Sequence, residues 1–288
     1  MSQNQDVSQE TSSRPLLGLT LGGGGARGLA HIGVLKVFER EGIPVNFLAG
    51  TSMGGIIAAA YAAGLTADDL QEEAATITRF INMIRLMDPG LPRNGILRGK
   101  RLHRYIERRL GPISFSQLKY PLALIAVDLN SRREVVLREG SLATAVRATI
   151  AVPGLFTPVE SSGCRMVDGG LLNNLPVDAA RALGADVVVA VDIQPCLNRD
   201  FQDGFSGTRW IPSGLAQTLS TLDEALSVLL ARAQEIKLQQ YPPEVLIRPK
   251  FLRHANAIIG YGRVDELVAA GERAAEVALP TLQHLMAC

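Results

Sequence analysis

Val45-Asn46-Phe47-Leu48-Ala49-Gly50-Thr51-Ser52-Met53-Gly54 runs into an Ala- and Ile-rich stretch from Gly55 to Ala63. Residues Val45 to Ala49 read as a short buried strand and Gly55 to Ala63 as a helix. Between them Ser52 occupies a G-x-S-x-G frame. Strand, tight turn and helix in this order make a nucleophile elbow: the turn lifts the serine hydroxyl off the sheet and aims helix N-terminal N–H groups at developing negative charge. Gly50 and Gly54 let the backbone pass close without a Cβ clash. The same glycines also suit a plain tight turn, so the elbow needs support from the rest of the chain.

Outward from the elbow the chain alternates strands and helices. Leu16–Leu21 reads as a buried strand entering the glycine run Gly22–Gly25, and a helix follows with Ala30, Val34, Leu35 and Phe38 on one face. Thr66 and Asp69 form a capping-box-like helix start, Met87–Gly99 is a Pro/Gly-interrupted loop, and Lys100–Leu110 is helical. Leu122–Val127 and Glu134–Leu137 form a hairpin through Asn130-Ser131, and Ser141–Ile150 a helix ended by Pro153-Gly154. Val159 and Met166-Val167 form a second hairpin about Ser162-Gly163. Val177–Leu183 is a helix and Asp186–Val191 a buried strand; residues 198–213 read as loop. From Gly214 the chain is mostly helical around a Val245-Leu246-Ile247 strand. The alternation predicts a three-layer α/β/α architecture with a mostly parallel central sheet.

Length and composition bound the function. The 288 residues are 47% hydrophobic and 20% charged with net charge +1, a balance that argues against bulk nucleic-acid binding. Cys164, Cys196 and Cys288 are far apart, unlike a disulfide framework or a zinc site, so a reducing, cytoplasmic setting is expected. The polar start, residues 1–14, reads as a disordered tail without signal-peptide character. No apolar run approaches the roughly 20 residues that span a bilayer, so membrane contact would be peripheral, at the inner face.

Gly23-Gly24-Gly25-Ala26-Arg27-Gly28 fits G-x-G-x-x-G between strand and helix. A dinucleotide site would place a carboxylate at the tip of the second strand for the ribose, but that tip is Ala49-Gly50-Thr51-Ser52. An oxyanion hole fits better, because consecutive glycines expose N–H groups in a concave turn at a helix start. Arg27 would steady this loop, attract an anionic head group, or simply be solvated.

A serine hydroxyl needs a base. Of four histidines, His31 lies in a helix that otherwise packs, His103 on a basic helix face, and His284 near the terminus. That leaves His254, which follows both serine and aspartates in hydrolase order, beside the basic stretch Lys250–Arg253. Asp128 and Asp192 end strands, where aspartates commonly serve as turn or cap residues. Asp168-Gly169-Gly170, a carboxylate before a tight turn, is the stronger base, and partial desolvation would raise its pKa towards neutrality.

The three elements Gly23–Gly28, Gly50–Gly54 and Asp168–Gly170, in this order, resemble the patatin-like phospholipase family, most of all its small bacterial members. The resemblance extends to Arg27–Leu35, Ala126–Leu129 and Val152–Val159 and spans about residues 16–195. Ile150-Ala151 departs from the small polar residue frequent there in relatives. The resemblance implies a histidine-free Ser52–Asp168 dyad, an oxyanion hole from Gly24, Gly25 and the neighbourhood of Arg27, and a structural role for His31. It also implies hydrolysis of phospholipid, lysophospholipid or simpler lipid esters, without metal or other cofactor. On this reading residues 15–200 form the hydrolase core, and 201–288 a mostly helical extension packed on the same domain.

Between Arg79 and Arg109 nine basic residues face only Asp88 and Glu107, a local charge of +7 in a nearly neutral chain. Interleaved Phe80, Ile81, Met83, Ile84, Leu86 and Met87 give residues 79–109 the amphipathic character of a surface that meets anionic lipid. A solvated basic face paired with acidic helices accounts for it equally. Two further functions stay open: a histidine-dependent carboxylesterase or thioesterase using Ser52 with His254, and a non-catalytic adaptor that keeps the fold.

Overall fold

The computed structural model describes residues 14–78, 88, 97–194, 213–251 and 262–287, with backbone alone for 213–224 and 226. The polar tail up to residue 13, the interleaved Phe80, Ile81, Met83, Ile84, Leu86 and Met87, the stretch 198–212, Cys196, Cys288 and His254 lie outside the described residues.

An eight-stranded mixed sheet is linked by pairing along the path β5-β6-β3-β2-β1-β7-β8, with β4 also paired to β3. Its strands are β1 (Leu17–Leu21), β2 (Phe47–Thr51), β3 (Leu122–Asp128), β4 (Arg133–Leu137), β5 (Val159–Ser161), β6 (Cys164–Asp168), β7 (Val187–Val191) and β8 (Val245–Ile247). β3-β2-β1-β7-β8 are parallel, while β4 and β6 join β3 antiparallel and β5 joins β6 antiparallel. The helices are α1 (Ala30–Arg40), α2 (Ser52–Ala62), α3 (Ala67–Ile77), α4 (Lys100–Leu110), α5 (Leu142–Thr149), α6 (Val177–Ala182), α7 (Ser213–Gln240) and α8 (Val264–Ala287).

The strands alternate sides with period two. Leu17, Leu19, Leu21, Leu48, Leu124, Val189 and Val191 bury one face under α1, α2 and α8. Ala49, Ala123, Ile125, Val188 and Ala190 bury the other under α6 and the end of α7. The three layers follow from this two-sided burial.

Of the element boundaries that differ from the sequence expectation, two bear on the elbow. β2 carries Gly50 and Thr51 within the sheet, and α2 begins at Ser52 itself, with extended Thr51 as its N-cap. The Ala-rich run alone hid this start, because Gly54 and Gly55 are poor helix formers that serve here for close approach. α5 ends at Thr149, before Pro153. The capping box of Thr66 and Asp69 on α3 forms as expected.

The register of β3 places the site. β2 pairs with its first half, ending at Thr51 opposite Ile125; β6 pairs with its last residues, with Asp168 opposite Ala126. Since β4 covers Leu124 to Asp128 on the other side, β2 and β6 share one edge of β3 and meet end to end. Residues 52 and 168 are thereby brought together.

Candidate active site

Ser52 stands at the junction of β2 and α2 with φ +54°. A non-glycine residue there costs on the order of 1–3 kcal/mol and persists only where its surroundings hold it. Its N–H donates to Thr149 Oγ1 at 3.0 Å, and that hydroxyl donates to the Ile125 carbonyl at 2.5 Å. Beside it, Thr51 Oγ1 donates to the Asn173 carbonyl at 2.8 Å. The flanking glycines leave no room for side chains. A Cβ on Gly50 would lie 2.7 Å from the Gly54 carbonyl oxygen, and one on Gly54 would overlap the backbone at Leu21.

Asp168 ends β6 and is 6% exposed. Ser52 Oγ donates to its Oδ2 at 2.6 Å, and the Gly170 N–H donates to its Oδ1 at 2.8 Å. Burial pushes the carboxyl up to about 6, against the opposing pull of these two hydrogen bonds. Gly169 lies flat on β3, where a Cβ would overlap the Ile125 carbonyl.

The glycine loop sits against Ser52: a Cβ on Gly23 would be 3.1 Å from the serine Cβ. Gly22 N–H is taken by the Val191 carbonyl and Gly23 N–H by the Asn174 carbonyl, each at 3.1 Å. Among the described residues, no acceptor is found for the N–H groups of Gly24 and Gly25. Gly25 has φ +59° and opens a 3-10 turn to Leu29 that holds half-buried Arg27. Gly28 admits Met53, whose side chain fills the space a Cβ would need.

The other candidates separate cleanly. His31 is fully buried beneath the loop, where Nε2–H donates to the Gly22 carbonyl at 2.8 Å, and burial lowers its pKa to about 4. It is a neutral brace. Asp128 accepts from Ser131 and Asn130 in the hairpin turn and from the Arg165 N–H of β6, and these hydrogen bonds, that of the Ser131 hydroxyl first, lower it to about 2. His103 lies 3.3 Å from Thr144 Oγ1 and 3.5 Å from Glu107. Among the described residues, no three His, Cys, Asp or Glu side chains are grouped to hold a metal ion.

A family model described as patatin-like phospholipase matches residues 19–181, more than half of the chain, and takes in the glycine loop, the elbow and Asp168. The chain belongs to the patatin-like phospholipase family. An uncharacterized NTE family protein of Mycobacterium tuberculosis is 37% identical over 182 residues, 63% of this chain and 50% of that protein. A second from that organism is 33% identical over 281 residues, 94% of this chain and 47% of its own. Patatin-like phospholipase domain-containing protein 6 of Mus musculus is 36% identical over 183 residues, which is 13% of its length. The chain thus spans about half the length of the mycobacterial relatives. VipD from Legionella pneumophila, 14% identical, superposes with a TM-score of 0.48 over 93% of this chain and 67% of its own.

Within this patatin-like site, several residues gave no signal of their own in the sequence. Thr149 is an ordinary helical threonine until the fold puts it under Ser52. Asn173 and Asn174 stand beside the Asp168-Gly169-Gly170 turn, but their partners come from distant segments. Asn174 clamps both polar groups of Gly23, its carbonyl accepting the N–H and its Nδ2 donating to the carbonyl at 3.1 Å.

Proposed function

We propose that this chain is a serine lipid acyl hydrolase that cleaves carboxylic esters of phospholipids, lysophospholipids or simpler lipids through an acyl-enzyme. The observation that carries this reading is the 2.6 Å hydrogen bond from Ser52 Oγ to a buried carboxylate, Asp168 Oδ2. Ser52 Oγ attacks the acyl carbonyl while Asp168 takes its proton, and the N–H groups of Gly24 and Gly25, with the neighbourhood of Arg27, hold the oxyanion. Protonated Asp168 then gives its proton to the departing alkoxide, leaving the acyl group on Ser52. Water attacks this ester, Asp168 takes its proton and returns it to the serine oxygen, and the fatty acid leaves. A carboxyl near 6 suits this exchange, being deprotonated at neutral pH yet basic enough to accept a proton. One well-aimed oxyanion donor lowers such a barrier by about 3 kcal/mol.

The test is labelling by a fluorophosphonate, together with ester turnover. Wild type is expected to label and Ser52→Ala not to label; Asp168→Asn is expected to lose at least about a thousandfold in kcat and His254→Ala to keep wild-type turnover. An inactive His254→Ala beside an active Asp168→Asn would move the role of base to the histidine. An unlabelled wild type would favour the adaptor.

The chain meets its substrate, on this reading, by resting α4 on an anionic membrane surface. Exposed Arg98, Lys100, Arg104 and Arg108 support this, as does the burial of Ile106 on the opposite side. No described helix is long and apolar enough to cross a membrane.

A further inference from the structure

Asn174 fixes both polar groups of Gly23, and it is itself fixed from α7, a helix beyond the segment that the family model matches. Gln234 is 6% exposed, while its neighbours Glu235 and Ile236 are exposed. Its Oε1 accepts from Asn174 Nδ2 at 2.9 Å, and its Nε2 donates to Asp192 Oδ1 at 2.9 Å. Arg248 Nε donates to the other oxygen of Asp192 at 3.0 Å. One turn further along α7, Lys237 Nζ donates to Asp178 at 2.6 Å and Glu134 at 3.1 Å, the two carboxylates that accept from Asn173 Nδ2.

The chain of amides has a sense, and Asp192 sets it. An ionised carboxylate only accepts, so Gln234 must present its NH2 to Asp192 and its oxygen to Asn174. That oxygen and the Gly23 carbonyl are both acceptors, so Asn174 must present its NH2 to both. Reversing either amide would set oxygen against oxygen at a buried position.

We propose that Gln234 is a positioning residue for the glycine loop: through Asn174 it holds Gly23, and hence the aim of the Gly24 and Gly25 N–H groups at the oxyanion. Asp192 fixes the direction in which Gln234 acts. This rests on the reading of the glycine loop as the oxyanion hole. A group that only supports the fold would affect every ligand of the site alike. One that aims oxyanion donors affects the tetrahedral state selectively.

The experiment uses the full chain with Gln234→Met, close in shape to glutamine but with neither amide bond, and Asp192→Asn, which lets the glutamine amide turn. Turnover of a soluble p-nitrophenyl ester gives kcat and KM. A trifluoromethyl ketone, which binds as a tetrahedral adduct of the serine, is compared with a free fatty acid. Gln234→Met is expected to lower kcat and ketone affinity about tenfold each, with KM and fatty-acid affinity within twofold of wild type. Asp192→Asn is expected to give the same selective loss, two- to fivefold. Wild-type ketone affinity in either folded variant would overturn the proposal, as would equal losses for ketone and fatty acid. Each variant is read on its own, so one that does not fold leaves the other decisive. A wild type that neither labels with fluorophosphonate nor binds the ketone would overturn the parent reading; a labelled wild type with unaffected variants would overturn this one alone.

Discussion

Asp168 carries its charge where burial resists it, and pH exposes that tension. Its carboxyl is raised from 3.8 to about 6 in the folded chain, first by desolvation. The folded state therefore binds this proton more tightly than the unfolded chain, so stability present below about pH 4 is lost as pH rises through about 6. Asp168→Asn removes the charge, so it is expected to be more stable than wild type at pH 7.5, by up to about 3 kcal/mol. The gain should disappear at pH 4, and thermal melts at the two pH values check this. The same protonation should make kcat/KM of the wild type fall with slope one below about pH 6. Ser52 and Asp168 were legible because glycines mark the turns that carry them. Thr149, under the serine, was not, since nothing local distinguishes a threonine that answers a strand 24 residues away.

α4 is the element whose charge is most one-sided. Asp88 accepts the N–H groups of Gly99, Lys100 and Arg101 at its start, at 2.7, 2.7 and 3.2 Å, and so satisfies a helix end that carries no acidic residue of its own. Arg147, buried on α5, donates to the carbonyls of Arg98 and Thr157 at 2.8 and 2.7 Å and fastens this end of α4 beside the site. Each basic residue near an anionic surface contributes about 1 kcal/mol. The triple variant Lys100→Glu, Arg104→Glu, Arg108→Glu is therefore expected to bind phosphatidylserine vesicles at least about a hundredfold more weakly, with turnover of a soluble ester unchanged. Equal vesicle binding would return α4 to an ordinary solvated helix. Helices with a strong polar face, such as α4 and α3, could be read from periodicity. The tie of α7 to Asn174 could not, because it joins residues 60 apart in sequence through polar atoms that leave no period.

At the scale of the molecule, the C-terminal part completes the layers. β8 extends the parallel sheet beside β7, and α8 buries Leu267, Val268 and Leu282 against the core. α1 and α8 meet through paired glycines: a Cβ on Gly33 would overlap the backbone of Val268, and one on Gly271 would overlap that of Ala30. We expect a chain ending at Phe251 to lose its cooperative thermal unfolding transition, as followed by circular dichroism. Gly271→Val should cost about 3 kcal/mol or more, since the obstructing atoms are backbone and the helices must separate. The two-sided alternation of β1, β3 and β7 was plain in the sequence, because strands buried on both faces read as unbroken apolar runs. The order in which they pair was not, since pairing is decided by packing across distant segments.

The end-to-end meeting of β2 and β6 on one edge of β3 gives the site a discrete character. A slip of β6 by one residue would carry the carboxylate about 3.4 Å along the edge and turn it to the opposite face. A change of register would thus alter the spacing of Ser52 and Asp168 in whole steps. Insertions in the Ser161–Cys164 turn lie outside the pairing with β3, whereas a single deletion between Cys164 and Asp168 is expected to separate Asp168 from Ser52.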